Sequence, residues 1–207
     1  MRLASAAAYR DDKALVWGWY VWRMAMVHRA QPHAGHRALA QLANMKPGLV
    51  VVTQNVDDLH ERAGSSGVIH LHGSLFASRC FACARPSGKV EIPAGAVDEP
   101  TLRLPPPRCK HGGGYIRPGV VWFGEQLPDV SWKEAVESVH GCDLLLAVGT
   151  SGVVYPAASL PGMAKARGAR VVEINPITTD LSNKANHVLR TTAGEGLSRL
   201  LSLLTES

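Results

Sequence analysis

The sequence has few cysteines, few aromatic residues and no long apolar run. Its 207 residues include 4 Cys, and aromatic side chains make up 6% of the chain. That cysteine content excludes a disulfide-stapled miniprotein, and an apolar fraction of 46% excludes a disordered chain. The longest apolar run, 144–148, is far too short to cross a bilayer. The first residues lead into the charged segment 9–13 and not into the apolar stretch of a signal peptide. We therefore expect a soluble, cytoplasmic protein.

The sequence also lacks any block of basic residues. It carries 22 Lys and Arg against 17 Asp and Glu, for a formal net charge of +5, but these charges are scattered. Surfaces that bind nucleic acids usually concentrate basic residues and interleave aromatic ones. The charge pattern predicts a mild attraction to acidic partners in general, and it argues against nucleic acid as a partner. We expect no membrane partner either, because no apolar run is long enough to span a bilayer.

Helical and strand patterns alternate along the chain, without internal repeats. Apolar residues recur at helical spacing over 13–29, a second helix is predicted over 35–44, and an amphipathic helix follows Gly194. Short apolar runs at 49–53, 144–148 and 169–174 are typical of buried strands. This alternation predicts an α/β fold with a mostly parallel sheet.

The middle of the chain, from 80 to 117, is rich in Cys, Gly and Pro and shows no helical period. Cys80 and Cys83 have the spacing of a zinc knuckle, and Cys109 stands where a second pair would begin. Gly112 occupies the position of the fourth cysteine, so three thiolates and His111 are the available ligands for a tetrahedral zinc. The segment therefore predicts a small inserted lobe held by something other than a core. The alternative to a zinc site is a lobe that has lost its metal.

Polar residues follow each predicted strand of the sheet. Ligands of open parallel sheets bind at the carboxyl ends of the strands, and small residues there let backbone N–H groups approach phosphate or ribose. The alternative for the first of these loops is a capped turn into a short helix. The residues are Gln54, Asn55, Asp57 and Asp58 after the first strand, Gly149, Thr150 and Ser151 after the second, and Asn175 after the third.

Two further motifs carry side chains suited to chemistry. His70 and His72 would share one face of a strand, as a metal pair or as one structural histidine and one general base. Tyr20 and Arg23 are neighbours on one helix face, where a phenol and a guanidinium can grip a carboxylate together. The alternative is an exposed amphipathic helix with a snorkelling arginine.

Together these motifs resemble the sirtuins, a family of NAD-dependent protein-lysine deacylases. The resemblance runs from about residue 3 to the C-terminus, and the Tyr-x-x-Arg pair resembles the branch that removes acidic acyl groups such as succinyl and malonyl. The strings that carry it are 20–23, 34–39, 53–60, 70–74, 117–125, 149–151 and 173–176.

The resemblance implies a Rossmann-like fold, an NAD site and a structural zinc. Gln54, Asn55, Val56 and Asp57 would line the nicotinamide and ribose pocket, and Gly149, Thr150 and Ser151 would hold ribose and phosphate. Asn175, Pro176 and Ile177 would lie near the adenosine, with Ala193 over the adenine. Cys80, Cys83 and Cys109 would bind zinc.

The resemblance also implies roles toward an acylated protein substrate. His72 would be the general base that activates a ribose hydroxyl after the acyl oxygen has attacked the ribose carbon and nicotinamide has left. Val120, Trp122, Phe123 and Gly124 would form the floor on which the peptide adds as a strand. Tyr20 and Arg23 would bind the distal carboxylate of the acyl chain.

The sequence departs from the sirtuin pattern at Gly112 and in having no Gly-Ala-Gly-x-Ser string. We expect a βα unit with the principal phosphate site to be absent from the front of the chain. The predicted domains are a Rossmann-like NAD-binding domain over 1–76 and 118–207 and a zinc-ribbon-like lobe over 77–117. The alternatives to a deacylase are an impaired sirtuin-like binder of acyl-peptides or partners and, more remotely, a zinc-ribbon nucleic-acid module.

Overall fold

The structure, a computed structural model, describes residues 3–96 and 103–206. Its helices are α1 (Ala6–Asp11), α2 (Lys13–Arg29), α3 (Ala34–Met45), α4 (Leu59–Arg62), α5 (Asp129–His140), α6 (Leu160–Ala166) and α7 (Ala193–Thr205). Its strands are β1 (Val52–Thr53), β2 (Ile69–His70), β3 (Gly73–Cys80), β4 (Ile116–Val120), β5 (Leu144–Val148), β6 (Arg170–Ile174) and β7 (His187–Leu189).

The described residues divide into two compact units. The first unit draws on the segments Met1–Gln31, Asn55–Asp58 and His72–Pro128, and the second on Pro32–Gln54, Leu59–Leu71 and Asp129–Ser207. Each unit is built from segments that are distant in the chain, so the polypeptide passes between them several times.

The first unit combines two helices with an antiparallel pair of strands. Asp12 ends α1 and caps α2, because its carboxylate accepts a hydrogen bond of 3.0 Å from the Leu15 N–H. In the antiparallel pair of β3 and β4, Gly73 lies opposite Val120. Gly73 has φ +71°, and a Cβ there would lie 2.2 Å from the Gly119 carbonyl oxygen. Only glycine therefore permits this close pairing directly after His72.

Aromatic and aliphatic side chains form the core of the first unit. Tyr9, Tyr20, Met24, Leu75 and Trp122 are each no more than 1% exposed and pack into one cluster. Helix α2 is buried on several sides, which fits its nearly continuous apolar sequence better than an exposed amphipathic helix does.

The cysteine lobe shares that helix as a packing surface. Cys80 and Cys109 are buried in a cluster with Trp17, Val21 and Ile116. The expectation that the lobe is held by something other than a core is therefore wrong, because α2 supplies apolar contacts to it. Part of the predicted lobe, 97–102, lies outside the described residues, as do 1, 2 and 207 of the predicted larger domain.

The second unit is an α/β arrangement with parallel strands. β1 pairs with β2, and β6 pairs with β5 on one edge and β7 on the other, all in parallel. Helices α3 and α7 pack together, with Ala38, Leu197 and the β6 residue Ile174 in a common cluster. In this parallel unit the carboxyl ends of β1, β5 and β6 lead directly into the predicted ligand loops.

The helices predicted over 13–29, 35–44 and after Gly194 are confirmed, as is the α/β class. The strand predicted over 49–53 is only two residues long, and Val50 is 45% exposed. Leu144 is 51% exposed, because β5 lies at an edge of its sheet in the described part of the chain. The prediction of fully buried strands is thus wrong at these positions, while the domain boundaries stay a prediction. Among the described helices none is long and apolar enough to cross a membrane.

Candidate functional site

The loop after β5 is a tight turn that exposes its backbone. Gly149 has φ +61°, and a Cβ there would meet no atom within 4 Å. The Gly149 N–H donates a hydrogen bond of 3.0 Å to the Ile174 carbonyl, which connects the turn to β6. In the described part of the chain, the N–H groups of Thr150 and Ser151 donate to no protein acceptor. They are therefore available to oxygen atoms of a ligand, as the fit of a ribose or phosphate group requires.

Thr150 is the point at which the three strand ends of the second unit meet. The Gln54 amide donates to the Thr150 hydroxyl at 3.3 Å, and the Asn175 amide donates to the Thr150 carbonyl at 2.9 Å. The structure thus brings Gln54, Thr150 and Asn175 together, as the sequence predicts for the carboxyl edge of a parallel sheet.

The residues after β6 form a second exposed surface of that edge. The Asn175 side chain also accepts a hydrogen bond of 3.2 Å from the Ile177 N–H, which orders the turn through Pro176. Ile177 is 68% exposed, so its side chain offers apolar surface to a flat ligand. Ala193 begins α7, whose capping box is formed by Thr192 and Glu195.

Glu173 lies in β6 and is a structural residue that holds the loop after this strand. It is 1% exposed, and its carboxylate accepts hydrogen bonds from the Thr179 and Ser182 hydroxyls and from Arg190 at 3.1 Å. Arg190 also donates to the Ile177 carbonyl at 2.8 Å. Burial by itself raises the pKa of Glu173, but these hydrogen bonds hold it below the usual range. A glutamate inside an apolar strand was the available signal.

In the first unit, His72 lies between β2 and β3 and is half-buried. Its carbonyl accepts a hydrogen bond of 2.8 Å from the Val121 N–H, and the Val56 carbonyl accepts one of 2.8 Å from Leu75. The first bond connects His72 to the residue that follows β4, and the second connects the segment Asn55–Asp58 to β3. His70, in contrast, belongs to the second unit, and its ring nitrogen lies 2.7 Å from a Glu61 oxygen.

Tyr20 and Arg23 lie one turn apart on α2, as predicted. Tyr20 is 1% exposed, and its oxygen accepts a hydrogen bond of 2.9 Å from the Trp122 indole. The Arg23 guanidinium lies 5.0 Å from the ring centre of Trp19 and 5.9 Å from that of Tyr20. Among the described residues, no carboxylate pairs with Arg23 and no acceptor takes the Tyr20 hydroxyl proton. Within residues 3–96 and 103–206, the pair therefore offers a cation and a hydrogen-bond donor and has no anionic partner.

The predicted peptide floor has one buried and one exposed aromatic residue. Trp122 is 1% exposed, whereas Phe123 is 63% exposed and donates its N–H to the Ala4 carbonyl at 3.1 Å. Gly124 then turns the chain with φ +86°, and Val120 is buried. The side chain of Trp122 thus faces the core, and Phe123 is the aromatic surface that this segment offers to a ligand.

Three cysteine thiols form a compact cluster. The sulfur atoms of Cys80, Cys83 and Cys109 all lie within 4.8 Å of one another, with Cys83 and Cys109 3.8 Å apart. A tetrahedral zinc with Zn–S bonds of about 2.3 Å places its sulfur ligands about 3.8 Å apart, so the cluster fits this metal. A Cβ on Gly112 would lie 4.0 Å from the Cys83 sulfur, which puts that position beside the cluster.

The backbone at Gly112 also prepares one thiol as a ligand. N–H groups of His111 and Gly112 lower the pKa of Cys109 to about 7. Zinc binds the thiolate form of cysteine, so this thiol is partly ready for metal at neutral pH. Cys142 lies outside the cluster and donates to the Val139 carbonyl at 3.3 Å.

The fold and these sites define a Rossmann-like α/β protein with a thiol cluster suited to zinc. A family model described as the Sir2 family matches residues 1–156. The chain therefore belongs to the Sir2 family, the sirtuins.

Relatives with curated names support the same conclusion. The chain is 52% identical over 199 residues to NAD-dependent protein deacylase 1 of Pseudomonas aeruginosa, covering 96% of this chain and 79% of the relative. It is 52% identical over 202 residues to an NAD-dependent protein deacylase of Mycolicibacterium paratuberculosis, covering 98% and 83%. The chain thus spans most of the length of both relatives.

Solved structures show the same fold. A crystal structure of a Sir2 homolog–NAD complex matches with a TM-score of 0.89 and 43% identity, covering 99% of this chain and 77% of that one. A Sir2–p53 peptide–NAD+ complex matches with a TM-score of 0.74 and 29% identity, covering 97% and 78%.

Proposed function

We propose that this chain is an NAD-dependent protein-lysine deacylase that prefers acyl groups ending in a carboxylate. In the net reaction, acyl-lysine, NAD and water give lysine, nicotinamide and O-acyl-ADP-ribose. The reaction type rests on membership of the Sir2 family and on relatives named NAD-dependent protein deacylases. One related solved structure holds 2'-O-acetyl ADP ribose, which is a product of this type. These names favour the deacylase over an impaired binder or a nucleic-acid module.

Within this proposal the second unit binds part of the cofactor NAD. The N–H groups of Thr150 and Ser151 would hold ribose or phosphate oxygens, and Gln54 and Asn175 would keep that turn in place through Thr150. The exposed side chain of Ile177 would lie against the adenosine, with Gly149, Pro176 and Ala193 shaping the same surface.

The first unit would supply the general base and the peptide platform. Asn55, Val56 and Asp57 would contact nicotinamide and its ribose, and His72 would accept the proton of a ribose hydroxyl. The backbone from Val120 to Gly124 would pair with the substrate peptide as an added strand, with Phe123 against its side chains. The hydrogen bond from Val121 to the His72 carbonyl would connect base and platform.

The acyl preference rests on one observation, the uncompensated pair of Tyr20 and Arg23. In the described part of the chain, the buried Tyr20 hydroxyl has no acceptor for its proton and the half-buried Arg23 guanidinium has no carboxylate partner, and both groups are complementary to an anionic group. An acetyl group ends in a methyl group and would offer no hydrogen-bond acceptor to Tyr20 or Arg23. The terminal carboxylate of a succinyl or malonyl group would accept hydrogen bonds from both residues.

The three thiolates would bind a structural zinc. Cys80, Cys83 and Cys109 would join β3 to the segment before β4, and the metal would add to the apolar contacts that the lobe makes with α2.

The test is an assay of all three products with a succinyl-lysine peptide. The proposal predicts NAD-dependent release of nicotinamide and of deacylated peptide in equal amounts, with O-succinyl-ADP-ribose detected by mass spectrometry. His72→Ala should abolish deacylated peptide and O-succinyl-ADP-ribose and should limit nicotinamide to no more than one molecule per enzyme, because nicotinamide leaves before His72 acts. NAD binding measured by calorimetry should persist. Deacylation that proceeds equally well without NAD, or full turnover by H72A, would contradict the proposal.

A further inference from the structure

The Tyr20 phenol is held by a hydrogen bond from a residue far away in the chain. Trp122 donates its indole N–H to the Tyr20 oxygen at 2.9 Å, and both side chains are 1% exposed. A hydroxyl that accepts this bond has its proton directed away from the indole. No described residue takes that proton.

The indole itself is fixed on several sides. The Arg117 guanidinium lies 3.5 Å from the centre of the Trp122 ring, and Arg117 is 4% exposed. Glu125 forms a bidentate ion pair with Arg117, and its second oxygen accepts the Trp122 backbone N–H at 2.8 Å. The Tyr9 ring packs against the indole at a centroid distance of 5.4 Å. The indole therefore has little freedom to rotate away from Tyr20.

We propose that Trp122 is a positioning residue for substrate specificity, which orients the Tyr20 hydroxyl so that its proton is donated to the terminal carboxylate of the acyl group. Arg117 and Glu125 hold the indole in place for this task. The inference rests on the proposed acidic-acyl preference and adds to it a residue that contacts the phenol and not the carboxylate.

The arrangement also predicts cooperativity between the two hydrogen bonds. When the Tyr20 proton is donated to an anion, the phenol oxygen becomes more negative and accepts more strongly from the Trp122 indole. A substrate carboxylate would therefore strengthen a hydrogen bond that it does not touch. An acyl group of equal length that ends in a methyl group, such as butyryl, would leave it unchanged.

The kinetic test uses Trp122→Phe, which keeps an aromatic ring against Arg117 and removes the N–H donor. We expect the ratio of kcat/KM for succinyl-lysine over butyryl-lysine peptide to fall about 2- to 10-fold, the value of one neutral hydrogen bond. In a Tyr20→Phe background the same substitution should cause no further fall in the ratio, because the hydroxyl is already gone. The loss should lie in KM for the succinyl peptide.

Trp17→Phe is a matched control for the lost volume. Trp17 is 2% exposed on the same helix as Tyr20, and it packs in the cluster of Cys80 and Ile116. It should leave the succinyl-to-butyryl ratio unchanged. A folded W122F protein whose ratio equals that of W17F would overturn the inference.

A measurement on the unaltered protein covers the case in which W122F does not fold. The indole N–H resonance of Trp122, assigned among the five tryptophans through its shift in Y20F, should move downfield when succinyl peptide binds and stay in place with butyryl peptide. Equal shifts with both peptides would overturn the inference. If Y20F and Arg23→Met leave the ratio unchanged, the acidic-acyl proposal itself is wrong; if they lower it and W122F does not, only the role of Trp122 is wrong.

Discussion

Removal of the Arg23 guanidinium should selectively damage turnover of acidic acyl groups. Arg23→Met keeps the length and apolar stem of the side chain and so preserves its packing on Trp19. It removes the cation and all of its hydrogen-bond donors. Because no described carboxylate pairs with Arg23, the substitution leaves no buried acid of the protein without its partner.

The size of the effect follows from the hydrogen bonds that the carboxylate would lose. Hydrogen bonds to a charged group are worth about 1.5–3 kcal/mol, which corresponds to about 10- to 100-fold in kcat/KM. Arg23 is half-buried, so solvent weakens the interaction and we expect the lower end of that range. Arg23→Lys keeps the charge without the planar fork and should give an intermediate loss.

The assay measures nicotinamide release at limiting peptide and saturating NAD, with succinyl-lysine and butyryl-lysine peptides of one sequence. The two acyl chains have four carbons each and differ in the terminal carboxylate. The ratio of their kcat/KM values should fall about 10-fold or more in R23M. Equal losses on both peptides would refute the assignment of Arg23 to the carboxylate, because they would show a general role in α2.

Three further predictions concern the thiol cluster and the carboxylates of Glu125 and Glu173. Gly112→Cys should tighten zinc binding by about 10- to 100-fold or more, since residues that merely support metal ligands contribute that much. Competition with a chelator measures the affinity. An unchanged affinity would contradict this prediction, because it would show that position 112 does not reach the metal. Glu173→Gln should lower the free energy of unfolding by about 1–3 kcal/mol, because it weakens the bonds from Thr179, Ser182 and Arg190; urea denaturation that matches the unaltered protein would contradict this. Glu125 and Glu173 both have pKa values held below the usual range, Glu125 by Arg117 and the Trp122 N–H against the opposing effect of burial. Their contribution to stability is therefore complete above the ordinary glutamate pKa of about 4.3 and is lost as pH falls through their lower native values. The Tm should decline below about pH 4.3, and it should decline less in E173Q. A Tm that does not change between about pH 5 and pH 3 would contradict these pKa shifts.

The sequence predicts the parts of the site whose geometry is local. Tyr20 and Arg23 meet because helical spacing places positions i and i+3 on one face, and Gln54, Thr150 and Asn175 meet because parallel strands end at one edge. The thiol cluster is likewise visible as a Cys-x-x-Cys pair with a distant Cys109. In each case a regular period or a ligand spacing carries the information.

The sequence could not reveal contacts between residues far apart in the chain. Trp122 and Tyr20 are separated by 102 positions, and their hydrogen bond depends on how β4 and its continuation pack against α2. The sequence also does not predict that Val50 and Leu144 are exposed. A run of apolar residues indicates a strand, but it does not show which edge of that strand pairs with a neighbour. Glu173 is a charged residue in an apolar strand, which the sequence alone shows, but only the folded loop brings it to its partners Thr179, Ser182 and Arg190.

The succinyl-to-butyryl ratio of kcat/KM for the unaltered protein, with NAD present, tests the central claim most directly. We expect NAD-dependent turnover of both peptides, with the succinyl peptide favoured about 10-fold or more, because its carboxylate would satisfy both Tyr20 and Arg23. A butyryl peptide that is turned over as well as the succinyl peptide, or better, would contradict the claim.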